Sequence, residues 1–384
     1  MVRRTQILNE NNSLLLLGPR GVGKTTLLKS LFSTENTLWI DLLTTKDEER
    51  FGHHPDELSY EIASGKYTRV IIDEIQKAPK LLDIAHREIE NSKNKIQFVL
   101  TGSSARKLKR GAGNLLAGRA FLYYLFPFTV SELQDDFDLN IALKYGTLPQ
   151  VYAINKVEEK QEYLRSYVRT FIREEIQIEQ LVRDLDPFRD FLEISAQMNG
   201  KIINFSKISR EVGVEDKTIR SYYQILEDTL VGFFLPPFHR SIRKRQRESP
   251  KFYYFDTGVV RALDRTLTVD LLPKTIAYGN AFEHFIISEV FRICEYAKND
   301  YRLSYLMTKD GVEIDLILER PGKPDLLVEI KSTDLVSGDD TKNLQKLMTD
   351  WDRECEAQVW SLDTHDKKIQ SINCVFWRTG LKNI

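Results

Sequence analysis

The chain has 384 residues, enough for two or three domains, and its 42% hydrophobic and 29% charged residues suit a soluble globular protein. A formal net charge of −1 excludes a global field that would draw it to nucleic acid or a membrane, so such contacts must come from local patches. Apolar runs such as Leu14–Leu17 are far too short to span a bilayer, MVRRTQILNENN lacks the apolar core of a signal peptide, and Cys294, Cys355 and Cys374 form no CxxC pair; a cytoplasmic protein without a disulfide framework or structural zinc is expected.

From Ser13 to Phe128, the strand-like runs SLLLL, TLWID, RVIID, IQFVL and AFLYYLF alternate with helical stretches, which predicts a parallel sheet covered by helices. Between the first run and its helix lies GPRGVGKT, a full match to G-x-x-x-x-G-K-[ST]. Gly18, Pro19, Arg20, Gly21, Val22, Gly23, Lys24, Thr25 and Thr26 are therefore the expected nucleotide-binding residues. The glycines let the backbone wrap closely and aim N–H groups at phosphates, and the helix N-terminus adds its positive dipole end. Lys24 is expected to reach the β- and γ-phosphates of ATP, and Thr25 to ligate Mg²⁺. RVIIDEIQ then places Asp73 to hold the Mg²⁺ shell and Glu74 to activate the attacking water. Thr101, Ser103 and Ser104 end the next strand and read either as a γ-phosphate sensor or as a polar turn. Arg119 reads either as a catalytic guanidinium, acting in its own subunit or a neighbour's, or as a surface arginine.

From about Ser131 to Pro237 helical periodicity takes over. EKQEYLRSYVRTFIREEIQIEQLV predicts a long amphipathic helix, and NFSKISREVGVEDKTIRSYYQILEDTLVGFFLPPF predicts helix, turn at Gly213, helix and a short strand. Asp216 is the expected N-cap of the second helix, which should run to Leu230. Lys217, Thr218 and Arg220 stand where a DNA reader would contact bases, although a winged helix used only for protein packing fits the same pattern. The basic run Arg243, Lys244, Arg245, Arg247 and Lys251 is the best local phosphate-binding patch, or else a solvated linker.

Near the C-terminus, GVEIDLILERPGKPDLLVEIKS reads as a β-hairpin with one apolar face and an open face carrying Glu313, Asp315, Glu329 and Lys331. A turn symmetric about Gly322 sets Asp315 opposite Glu329, and two facing carboxylates repel unless a cation such as Mg²⁺ or Mn²⁺ lies between them. The same register sets Lys331 opposite Glu313, which allows a plain cross-strand salt bridge instead.

GPRGVGKTTLL, VIIDEIQ, LTGSSARKL, LAGRA, LFPFTVSEL and YGTLPQV resemble the prokaryotic AAA-type ATPases of the archaeal-ATPase-like group. That resemblance implies an additional-strand core, with the GSS strand between the phosphate-loop strand and the DEIQ strand. The hairpin D-x(n)-E-I-K is similar to the core of the PD-(D/E)xK nuclease family, with Ile314 where that family has proline. This second resemblance implies that Asp315 and Glu329 bind a divalent metal, that Glu283 completes the site and that Lys331 acts in catalysis, with His284 a structural neighbour.

The fold expected is therefore α/β: a P-loop ATPase parallel sheet in residues 1–130, a helical region with a winged helix-turn-helix in 131–240, and an α/β nuclease-like domain in 241–384. The expected function is Mg²⁺-dependent ATP hydrolysis coupled to a DNA-binding, metal-dependent nuclease-like domain. A nucleotide-dependent switch or scaffold that does not cleave, and a winged-helix regulator, are the alternatives. ATP and DNA are the expected partners, self-association is left open, and no membrane is expected.

Overall fold

In a computed structural model, the structure describes residues 2–91, 96–104, 118–170, 176, 182, 184–239 and 249–384. Chain contacts divide these into two units, the first made of Met1–Glu132, Leu148–Gln150 and Gln224–Val231, the second of the remainder.

The first unit is organised by a five-stranded parallel sheet. Its strands are β1 (Leu14–Leu17), β2 (Thr37–Asp41), β3 (Arg69–Asp73), β4 (Gln97–Gly102) and β5 (Phe121–Tyr124), in the order β2-β3-β4-β1-β5. The GSS strand β4 lies between β1 and β3, as the resemblance implied. Leu14, Leu16, Val70, Ile71, Ile72, Phe98 and Val99 are fully buried, the near-continuous apolar pattern of strands covered on both faces. The helices α1 (Lys24–Leu31), α2 (Thr45–His53), α3 (Glu57–Ser64) and α4 (Leu81–Asn91) supply that cover, with Phe51, Leu58, Leu81 and Ala85 in the core. Strand β1 neighbours β4 and β5 rather than β2, so the order reverses at β1. In such sheets ligands collect outside the carboxyl ends of the strands at that point, which is where the phosphate loop begins.

The second unit begins with helices. The predicted long helix is described as Val157–Thr170; most of its remainder lies outside the described residues. The helix-turn-helix is present as Phe205–Val212 and Asp216–Asp228. Asn204 caps the first helix by accepting from the Lys207 N–H, and Gly213, at φ 77°, ends it in the left-handed conformation that a side chain resists. Asp216 is not the N-cap. It is the first helical residue, and its carboxylate accepts from the hydroxyls of Ser206 and Ser209, which ties the two helices together. The second helix ends at Asp228, two residues earlier than expected. Strands β6 (Gly232–Leu235) and β7 (Lys251–Tyr254) then pair antiparallel. Aromatic rings fill the space behind them, with Phe188, Phe191, Tyr222, Tyr223 and Phe252 in mutual contact at 4.9–5.7 Å between centroids.

The C-terminal part carries a six-stranded sheet in the order β12-β13-β11-β10-β9-β8. These strands are β8 (Arg302–Met307), β9 (Glu313–Glu319), β10 (Asp325–Lys331), β11 (Cys355–Ser361), β12 (Lys367–Ile369) and β13 (Ile372–Phe376). The hairpin pairs Leu326 with Leu318 and Val328 with Leu316, the register symmetric about Gly322. Its second face is not open. Strand β10 also pairs parallel with β11, and Ile317 and Leu327 are buried in a core with Leu344, Val359 and Ile372. A hairpin read in isolation shows only one partner per strand; a third strand and covering helices turn its open face into interior. Among the described residues no helix is long and apolar enough to cross a membrane, and the three cysteines are free.

Candidate nucleotide site and a second charged cluster

The phosphate loop follows directly from the end of β1. The Gly18 N–H donates to the Gly102 carbonyl, and a Cβ on Gly18 would lie 2.2 Å from the Leu125 carbonyl oxygen, so only glycine fits. Gly21 and Gly23 take φ values of 79° and 92°, the left-handed region that glycine adopts without cost. Gly23 also starts α1, whose first N–H groups have no partner within the helix. Val22 is buried beneath the loop, while Arg20, Gly21 and Thr26 are exposed.

Lys24 is 5% exposed; its Nζ donates to the Gly18 carbonyl at 2.9 Å and the Pro19 carbonyl at 3.3 Å, and lies 3.5 Å from Glu74. The Thr25 hydroxyl donates to Asp73 Oδ2 at 2.5 Å, and the Thr101 hydroxyl donates to the other oxygen of Asp73. Glu74 stands just past β3 in a left-handed conformation, φ 59° and ψ 51°, held by its N–H to Thr101 Oγ1 at 3.0 Å. A non-glycine residue stays in that region only where its surroundings impose it. Gln76 donates to the Glu74 carboxylate and, at 2.9 Å, to Ser103 Oγ. Burial opposes ionisation of Glu74, but the Lys24 charge and the hydrogen bonds from Gln76 and Ser103 outweigh it and hold the carboxyl below its ordinary pKa. Thr101 and Ser103 thus orient the DEIQ side chains, and Ser104 is buried at the same strand end. A cavity of about 440 Å³ adjoins the loop, lined by Ile7, Leu8, Val22, Thr26, Leu27 and Phe128 among others.

Arg119 is not part of this arrangement. It precedes β5, whose Phe121 is level with Leu14 at the start of β1, and it pairs with Glu90 at the end of α4, at 2.5 Å. Parallel pairing therefore puts it at the end of the strands opposite the phosphate loop, where, contrary to expectation, it does not reach the nucleotide site of its own subunit.

The second cluster lies in the other unit. Asp315 and Glu329, both buried, come one step past the last paired residues of the hairpin. The Ile330 N–H donates to Asp315 Oδ2 at 2.7 Å, and Lys331 donates to Glu329 Oε1 at 2.6 Å. Among the described residues, Glu329 Oε2 is buried without a hydrogen-bond partner. Burial, with Glu329 and Glu283 nearby, pushes the Asp315 carboxyl well above its ordinary pKa; burial likewise raises Glu329 against the pull of Lys331.

The Lys331–Glu313 bridge that the register permits is replaced by other pairings. Lys251 takes Glu313 at 2.6 Å and also lies 3.4 Å from Glu283, whose Oε1 accepts from the Tyr253 hydroxyl at 2.7 Å. Lys251, expected in a solvent-facing phosphate patch, is only 3% exposed; it opens an otherwise aromatic strand and points with Tyr253 into the acids. Arg243, Lys244, Arg245 and Arg247 lie outside the described residues. Among the described residues no three His, Cys, Asp or Glu side chains are placed to hold one metal ion. The expected Glu283–Asp315–Glu329 triad is not assembled, because Glu283 is held by Lys251 and Tyr253 instead. His284 is buried with Nε2 2.6 Å from the Tyr254 carbonyl, away from the acids. In the helix pair, Lys217 bridges to Glu215 and Arg220 stacks on Phe205 with 3.8 Å between guanidinium and ring centroid.

Residues 10–134 match the family described as AAA domain. The first domain is of the AAA P-loop ATPase type. Residues 136–270 and 278–379 match two families described as domains of unknown function, DUF8612 and DUF4143. Uncharacterized proteins of Mycobacterium tuberculosis and Mycobacterium bovis are each 28% identical over 313 residues, covering 81% of this chain and 68% of theirs. Among solved structures, the Aeropyrum pernix ORC2 protein in its ADPNP–ADP complexes has a TM-score of 0.37 at 13% identity, covering 67% of this chain and 88% of that one. The Bacillus subtilis DNA clamp loader delta protein has a TM-score of 0.28 at 11% identity, covering 72% of this chain and 96% of that one.

Within the AAA domain, sequence reasoning passed over Gln76, which lies two residues from Glu74 in the same DEIQ motif. In the C-terminal cluster it assigned no role to Tyr253 and misplaced Lys251. The available signal was a single lysine alternating with a tyrosine in a strand too aromatic to be exposed.

Proposed function

We propose that the chain is a Mg²⁺-dependent ATP hydrolase. The carrying observation is that Lys24, Thr25, Asp73 and Glu74, from two separate motifs, meet at the mouth of one glycine loop. The donor set fits nucleotide and cation. The loop offers backbone N–H groups and the α1 N-terminus to phosphates, and Thr25 with Asp73 offers the oxygens a hard cation takes. Thr25 and Asp73 would hold Mg²⁺, which would supply charge neutralisation at the phosphates. Lys24 moves from the loop carbonyls to the phosphates, and Glu74, fixed by Gln76 and held ionised, accepts the proton of the attacking water. Gly18 to Thr26 form the nucleotide cradle, and the adjoining cavity takes the base. Arg119 acts, if at all, on a neighbouring copy's site. The test is phosphate release by the wild type and by Glu74→Gln: the variant should keep ATP bound without turning it over, and wild-type hydrolysis in it would remove Glu74 from this role.

For the remainder of the chain the reading is a DNA-engaging, nuclease-like module worked by the ATPase, with the division at 1–130, 131–240 and 241–384. One observation favours a divalent cation beside Asp315 and Glu329: among the described residues, a buried carboxylate oxygen of Glu329 lacks a partner, with Asp315 facing it across the hairpin. A cation there would supply Lewis acidity toward a phosphodiester, and Lys331 would hold the developing negative charge. Labelled single- and double-stranded DNA incubated with Mg²⁺ or Mn²⁺ tests it. Cleavage that survives Asp315→Ala or Lys331→Ala removes the catalytic assignment and favours the non-cleaving switch. Equal loss of DNA binding across sequences in Lys217→Ala/Arg220→Ala would assign those residues to backbone contact rather than base reading.

A further inference from the structure

Lys251 is the group in the second unit that the proposed chemistry leaves unused. It is buried, yet its ammonium is aimed at carboxylates that come from two other elements, Glu283 on the helix Ile276–Ala297 and Glu313 at the start of β9. Its ring contact is Tyr305, 5.4 Å from Nζ to centroid. A pocket of about 300 Å³ opens onto the same groups, lined by Lys251, Glu283, Glu313, Asn199 and Asn280 among others. Glu283 therefore faces solvent-filled space on one side and an internal cation on the other. Both contacts fall on Glu283 Oε1, so the ammonium offsets the charge of this carboxylate and, with the tyrosine hydroxyl, fixes the direction in which it points, which weakens it as a metal ligand until they are released.

The charges give the cluster a direction. Four carboxylates, Glu283, Glu313, Asp315 and Glu329, are set against two ammonium groups, Lys251 and Lys331. The carboxylates outnumber the ammonium groups by two, and among the described residues the buried Glu329 Oε2 has no hydrogen-bond partner. Interior charge of that kind attracts a further cation, and where Glu283 points decides how many oxygens that cation can collect.

We propose that Lys251 is an internal latch on the C-terminal acid site: its ammonium withholds Glu283, so that a divalent cation is held by Asp315 and Glu329 alone until Lys251 is displaced. This rests on the divalent-cation reading of Asp315 and Glu329. Release of the latch adds Glu283 as a third oxygen ligand and raises cation affinity. Lys251 is a positioning residue, since it acts through Glu283 and touches no substrate.

The experiment is calorimetric titration of full-length, nucleotide-free protein with MnCl₂, counting only the uptake that Asp315→Asn abolishes, so that binding at Thr25 and Asp73 is subtracted. Lys251→Met should tighten that uptake about 10-fold or more, the usual effect of one added charged ligand or its supporting contact. Glu283→Gln should change the affinity much less in the wild type than in the Lys251→Met background, where it should cancel the gain, a non-additivity that a merely structural lysine would not produce. Lys251→Arg keeps the positive charge and should retain the wild-type affinity; if Lys251→Met does not fold, Lys251→Gln, which also removes the charge, is titrated in its place with the same expected gain. Equal affinity in the wild type and Lys251→Met, or a Glu283→Gln loss of the same size in both backgrounds, overturns the latch while leaving the cation site standing. Absence of Asp315-dependent uptake in every protein overturns the cation reading, and the latch with it.

Discussion

The phosphate loop and the C-terminal cluster use the same ingredients, lysines and carboxylates at strand ends, but differ in what surrounds them. In the loop, Lys24 rests on two main-chain carbonyls, and the anion-binding groups are backbone N–H groups on a helix terminus. In the cluster, each lysine rests on a carboxylate, and Asp315 and Glu329 are interior. The first arrangement is made by contiguous residues plus one neighbouring strand. The second needs residues as far apart as Lys251 and Glu313 to arrive together. A site built on backbone geometry carries its own signature, whereas a site built on side-chain pairing depends on which partner reaches it first.

The sharpest break between the two comes from Lys24→Ala. Phosphate release should fall to background and Asp315-dependent Mn²⁺ uptake should stay as it was; loss of both would mean that the two regions do not act separately. Glu74→Gln should slow hydrolysis by about 100- to 10,000-fold, the range for removing a positioned general base, with ATP affinity retained in equilibrium binding.

Next in size is Gly18→Ala. Its Cβ meets the Leu125 carbonyl at 2.2 Å, a backbone overlap that no rotamer relieves. About 1–3 kcal/mol of destabilisation and loss of the ATP-induced rise in melting temperature are expected. The corresponding glycine of the hairpin turn, Gly322, has φ 76° with open space around a Cβ, so Gly322→Ala should cost less and leave nucleotide binding unchanged.

A pH-dependent contrast follows from His284. Burial, only partly offset by the Tyr254 carbonyl, pushes its imidazole down to about 4 from an ordinary 6.5. The unfolded chain takes up this proton more readily, so the stability contributed by neutral His284 is fully present above pH 6.5 and is lost as pH falls toward 4. The amount at stake is on the order of 3 kcal/mol. Melting temperature followed from pH 7 to 4 should fall less steeply in His284→Gln than in the wild type, whatever the variant's stability at pH 7. Parallel curves would show that this histidine is not the buried neutral group described.

The smallest effect is expected of Arg119→Ala. Its bridge to Glu90 is exposed and it stands across the sheet from the loop, so melting temperature and hydrolysis by dilute protein should not change. A loss confined to concentrated, self-associated protein would assign Arg119 to a neighbour's nucleotide.

Much of the fold was legible in particular residues. The runs SLLLL, RVIID and IQFVL are parallel strands because both faces are covered, which removes alternation and leaves plain apolar stretches. The register about Gly322 was legible because a Pro-Gly turn sets hairpin pairing locally. What escaped was each partner drawn from a distance. Asp216 met the hydroxyls of Ser206 and Ser209 instead of capping its own helix, and Arg119 fell at the wrong end of the strands because parallel pairing is not written in its neighbourhood. Lys251 looked like the last member of a basic run until β7 carried it inside.

By itself the sequence determined the phosphate cradle, since glycines at positive φ, a lysine and a helix start six residues on are one continuous piece of backbone, and local conformation follows local residues. Only the tertiary structure decided the state of the C-terminal acids. Charge pairing over a few ångströms is settled by whichever groups the packing brings within reach, and here packing brought Lys251 to Glu283 and Glu313, left Lys331 to Glu329, and gave Asp315 the Ile330 N–H.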